Sequence, residues 1–132
     1  MDTKKTDILS IGEVKTLVNT FYDNVRADDL LKDIFNQKIG DRWTEHLEKM
    51  YRFWQTVLLG EHTYNGSPFP PHMQLPVEKE HFDRWQSIFH NTVDTLFTGK
   101  KADEAKWRAS KMAELFHYKI EHFKASASNS LQ

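Results

Sequence analysis

All four prolines of the chain fall between Asn65 and Pro76, in the run NGSPFPPHMQLP. Proline fixes φ and removes a backbone donor, so regular helix cannot run through this stretch. One histidine, His72, is embedded in it beside Phe69, Met73 and Leu75. A histidine fastened by prolines is held in place, which suits a metal ligand. The plainer reading is a loop histidine between two helices, and the segment alone does not separate the two.

At 132 residues the chain has the size of one domain, and such a domain buries roughly two-thirds of its unfolded surface. Apolar residues make up 39%, and aromatics alone 13%. The core is therefore small in count and built from large rings. With 18 basic and 19 acidic residues the formal charge is −1, which gives no electrostatic footprint for nucleic acid or an anionic membrane. The absence of cysteine excludes disulfides, thiolate catalysis and cysteine-based metal sites. The first residues, MDTKKTD, lack an apolar core. No apolar run approaches the ~18 residues of a membrane span. A cytoplasmic protein is expected.

Hydrophobic spacing predicts only helices. Ser10 and Glu13 have the spacing of a capping box. The helix they open runs to about Arg26 and buries Val14, Val18, Phe21 and Val25, with Tyr22 at the edge of that stripe. Asp28 and Asp29 start a short helical turn ending near Phe35. A second long helix spans Arg42 to Leu59, with Trp43, Leu47, Met50, Trp54, Val57 and Leu58 inward and Gly60 closing it. His46 projects from one edge of this stripe, in the row of Met50, Phe53 and Val57. After the prolines, a third helix from about Glu80 to Phe97 buries Phe82, Trp85, Phe89, Val93 and Leu96. A fourth, from about Ala102 to Phe123, buries Ala109, Met112, Ala113, Phe116, Ile120 and Phe123. Trp107 falls on its opposite side. Residues 1–10 read as a lead, 11–123 as the domain and 124–132, KASASNSLQ, as a disordered tail.

A helical bundle with histidines invites a di-iron reading, and Glu78/His81 and Glu114/His117 have the Glu-x-x-His spacing. Glu114, however, points roughly 150° from the buried stripe of its helix. Glu78 precedes the third helix, and neither of the first two long helices centres a carboxylate on its apolar face. Both pairs read as solvated surface. A zinc-hydrolase His-Glu-x-x-His motif, a nucleophile elbow and phosphate loops are also missing.

A flat macrocyclic cofactor fits better. Haem iron needs one imidazole on its proximal side and an otherwise apolar slot. His72 can supply the first, while His46 approaches the opposite face from a separate helix. Tyr22 and Trp85 each carry a donor on a large apolar ring, and a buried phenol or indole N–H usually has a partner. Tyr22 bonded to a backbone carbonyl and Trp85 as plain core are the competing readings.

These residues have a pattern. LVNTFYDNVR, DRWTEHLEKMYRFW, YNGSPFPPHMQL and HFDRWQSIFHNTVDTLF together resemble the truncated haemoglobins of group III, the P type, over about residues 11–123. The separation of the W-x-x-H-L helix from the histidine after the prolines is the most specific feature. Isolated glycines, where groups I and II carry Gly-Gly pairs, point the same way. The resemblance implies an all-α, two-over-two helical sandwich around one haem b. It implies His72 as proximal iron ligand, Tyr22 as distal donor, His46 as a distal gate and Trp85 as the pocket tryptophan. Phe35 matches the aromatic at the haem edge. Met50, Phe53 and Phe89 are expected in the cofactor wall with Phe21, Met50 as wall and not as ligand.

Three function classes follow: a redox enzyme acting on dioxygen, nitric oxide or peroxide, a reversible oxygen carrier or store, and a gas sensor or haem-binding module. Carbon monoxide and cyanide are expected ligands, an unidentified reductase the expected partner, and a monomer the expected state.

Overall fold

The computed structural model describes residues 5–66 and 75–130, with side chains through residue 125. Five α-helices are found there: α1 Ile11–Ala27, α2 Lys32–Ile39, α3 Trp43–Leu59, α4 Lys79–Leu96 and α5 Lys100–Ser130. Two pairs, α1 with α3 and α4 with α5, are joined through α1 against α4. This is the two-over-two arrangement.

The α1 stripe is buried as its spacing requires, and Leu17 and Tyr22 join Val14, Val18, Phe21 and Val25. The capping box does not form in the expected way. Ser10 makes no side-chain bond to the helix N–H groups. Its hydroxyl instead donates to Glu13 (2.7 Å), and the Leu9 N–H donates to the same carboxylate.

The short helix starts later than Asp28. The Asp28 carboxylate accepts the N–H groups of Leu30 and Leu31, which makes 28–31 a capped turn and moves the first helical residue to Lys32. Arg84 of α4 donates to the same carboxylate at 2.6 Å, tying α4 to this corner. Gly40 (φ 61°) then stops α2, a backbone that side-chain-bearing residues rarely adopt.

α3 ends at Gly60 in the left-handed region, as expected. The chain beyond it folds back on α3, for the N–H groups of Thr63 and Tyr64 both donate to Thr56 Oγ1. Tyr64 packs edge-on to Phe53, centroids 5.4 Å apart.

On α5, Ala102, Ala105, Ala109 and Ala113 are buried, and small residues there let α4 approach closely. The helix does not stop near Phe123. Residues 124–130, expected to be a disordered tail, continue it to Ser130. Phe123, expected inside, is 37% exposed, and Trp107 lies on the exposed side with the Arg108 guanidinium over its ring. The start of α5 is pinned by Asp7. Its carboxylate accepts the N–H groups of Lys101 and Ala102, while Thr6 pairs with Phe97 as an isolated bridge.

Candidate functional site

A cavity of about 420 Å³ lies between the two helix pairs, and every one of the five helices contributes to its wall. Of the residues singled out from the sequence, Tyr22, Phe35, His46, Met50, Phe53 and Trp85 all line it. His72 lies outside the described residues. Leu75 and Val77, where the described chain resumes, are on the wall.

Phe89, expected in the cofactor wall, lies one layer back from this cavity. It is 1% exposed and does not line the cavity, but stacks behind it between Trp54 (5.1 Å, 21°) and Trp85 (5.7 Å, 13°). Trp54, read from the sequence as plain core, takes a place on the wall.

The polar end of the cavity is a set of packed rings. Tyr22 of α1 and His46 of α3 meet edge to face, centroids 5.0 Å apart and planes at 85°. Phe35 and Phe21 flank Tyr22 at 6.1 and 4.9 Å. Burial pushes the Tyr22 phenol well above the ordinary tyrosine range, because a phenolate would lose its hydration there. Tyr22 is therefore a neutral O–H donor at any physiological pH. The indole of Trp85 lies edge-on to Phe21 at 5.5 Å.

Two further groups escaped the sequence reading. Lys38, Arg42 and Lys49 line the cavity while exposed to solvent, so they stand at its mouth, together with Glu45. Arg42 is fixed there by its Nη2–H bond to the Lys38 carbonyl, 3.0 Å. His81 also lines the cavity. Its Nδ1 accepts the Glu78 N–H at 2.9 Å, so the Glu78/His81 pair caps α4 and is not merely solvated surface. The spacing was a signal for this cap. The other pair behaves as expected at Glu114, which is exposed beside Lys111. Among the described residues no three His, Asp or Glu side chains converge as a metal site.

An all-helical sandwich with a ring-walled cavity, polar at one end and cationic at its mouth, is the architecture of a small globin. The chain belongs to the bacterial-like globin family, which it matches over residues 10–119. It is 33% identical over 116 residues to the group 3 truncated hemoglobin ctb of Campylobacter jejuni, covering 85% of this chain and 91% of that one. It is also 33% identical over 92 residues to the group 2 truncated hemoglobin YjbI of Bacillus subtilis, covering 64% of this chain and 67% of the relative. The crystal structure of the group III truncated hemoglobin from Campylobacter jejuni aligns with a TM-score of 0.81 at 31% identity, over 89% of this chain and 95% of that one. The expected truncated-globin fold and group III likeness are thus borne out.

Membership implies a haem cofactor and binding of diatomic gases. The residues present fit such a group: the walls are apolar and aromatic, and the three cations and Glu45 at the mouth leave a net positive charge, opposite in sign to the carboxylates a haem carries at its edge. No helix among the described residues is long and apolar enough to cross a membrane.

Proposed function

We propose that this globin holds haem b in the cavity, with His72 as proximal ligand, for redox chemistry on dioxygen, nitric oxide or peroxide. Haem supplies an iron that binds diatomic ligands. The carrying observation is the convergence on one cavity of six side chains chosen from the sequence, three of them with polar hydrogens: Tyr22, His46 and Trp85. His72 is assigned from its place in the proline segment and from the family likeness, with Leu75, three residues on, lining the cavity. Phe35, Met50 and Phe53 exclude water from the apolar part, and Phe89 backs Trp54 and Trp85.

The Tyr22 hydroxyl, held protonated by burial, is the donor for a ligand that gathers negative charge. Trp85 Nε1–H and His46 are its companions. Several charge-assisted bonds slow the escape of dioxygen beyond what a delivery role tolerates, which favours chemistry over carriage. With nitric oxide, one dioxygen, one nitric oxide and one electron from a reductase combine to nitrate. Dioxygen dissociation and nitric oxide or peroxide turnover, measured by stopped flow on one reduced sample, test this reading. Slow release with turnover supports it. Fast release with no turnover above free haem leaves the reversible carrier.

A further inference from the structure

Trp43, the first residue of α3, does not line the cavity, yet it touches both polar rings that meet there. Its indole stands edge-on to Tyr22 (5.8 Å, 65°) and to His46 (5.8 Å, 88°). Since Tyr22 and His46 also meet each other, the three rings close a triangle. Trp43 is in turn held from two other helices. The Arg26 guanidinium, in the last turn of α1, lies 4.4 Å over its ring, and its Nε1–H donates to Asn36 Oδ1 of α2 at 3.3 Å. A half-buried tryptophan with its face and its only donor both engaged has little freedom to leave. The histidine and tyrosine that lean on it inherit that restriction.

We propose that Trp43 is a positioning residue for the Tyr22–His46 pair, and that the Arg26–Trp43–Asn36 clamp governs how readily His46 swings away from Tyr22. This rests on the reading of the cavity as the ligand pocket. The mechanical logic is simple. The imidazole packs edge-on to the indole, so its movement is coupled to a ring that is itself held by one cation contact and one hydrogen bond. Loosening the clamp gives the His46 ring more than one resting place and alters the polarity felt at the Tyr22 hydroxyl.

The test uses the full-length haem-loaded protein with carbon monoxide as probe. The infrared C–O stretch reports the polar hydrogens beside the ligand, and a loss of fold stability alone leaves it in place. Wild type is expected to show one dominant band, and Trp43→Ala several. Carbon monoxide association should quicken by roughly two- to tenfold, the range set by losing one edge-to-face ring contact. Trp43→Phe, which keeps a ring, should restore most of the wild-type band, while Arg26→Met and Asn36→Ala should reproduce part of the Trp43→Ala pattern. Unchanged bands and rates in folded, haem-loaded Trp43→Ala overturn the inference. Should that variant not fold, unchanged bands in both Arg26→Met and Asn36→Ala overturn it equally. A wild-type chain that takes up no haem overturns the inference together with the reading beneath it, and the missing haem spectrum distinguishes that case.

Discussion

The rings of Tyr22 and His46 meet at 85° with their centroids 5.0 Å apart, each brought to the same end of the cavity by a different helix. Tyr22 sits deep in α1 at 7% exposure, and burial holds its hydroxyl in the neutral form. Tyr22→Phe removes only that hydroxyl, so helix content should be unchanged. The loss of one bond to a partly charged ligand costs on the order of 1.5–3 kcal/mol. Dioxygen should then dissociate roughly ten- to hundredfold faster, read by stopped flow. An unchanged off-rate assigns Tyr22 to packing.

The same burial sets a pH dependence. The folded state keeps the Tyr22 proton at pH values where the unfolded chain, near the ordinary value of 10.0, releases it. The contribution is therefore fully present below that value and is lost as pH rises above it. Spectrophotometric titration of the native protein should show one tyrosine that ionises only on alkaline unfolding, and that step should be missing in Tyr22→Phe.

Asp7 makes the opposite prediction on the acid side. Burial acts to raise its pKa, but the N–H groups of Lys101, Ile8 and Ala102 outweigh it, and the carboxyl ends below its ordinary value. Its stabilisation is present above the unfolded carboxylate range and is lost as pH falls through the lowered folded value. Asp7→Ala should cost about 1 kcal/mol, the usual worth of a helix cap, and denaturant midpoints for the two proteins should converge in acid. Gly99 faces Asp7 at φ 131°, and an added Cβ would sit 2.6 Å from the carboxyl carbon, so Gly99→Ala should destabilise the same junction.

Phe89 separates support from contact. It stacks between Trp54 and Trp85 without lining the cavity. Phe89→Ala should cost about 3–5 kcal/mol of stability. The milder Phe89→Leu should lower the melting temperature while leaving dioxygen dissociation closer to wild type than Tyr22→Phe does.

Much of the fold was legible because helical spacing reports which face turns inward. Val14, Val18, Phe21 and Val25 are buried as read, and Gly60 ends α3 as read. Spacing does not report depth. Phe89 and Trp85 share a stripe, yet one backs the wall and the other forms it. Nor does it reveal tertiary caps. Asp28 moved the start of α2 because its carboxylate serves Leu30, Leu31 and Arg84 at once. The α5 extension is not legible in the sequence, where a small polar composition has the signature of disorder. Alanine there is a strong helix former, and Lys124 fastens the helix to the Val77 carbonyl and the Glu78 carboxylate. The mouth cations Lys38, Arg42 and Lys49 lie on the exposed side of their elements, where sequence alone gives no reason to group them.

Uptake of haem by the full-length chain decides whether the cavity is a haem pocket held by His72. The full-length protein is titrated with ferric haem, and absorption spectra are recorded in the ferric, ferrous and carbonmonoxy forms for wild type, His72→Ala and His46→Ala. Wild type and His46→Ala should take up one haem per chain saturably, with His72→Ala losing haem or needing added imidazole. No uptake by wild type, or an unchanged ferrous spectrum in His72→Ala while His46→Ala loses haem, would contradict that assignment.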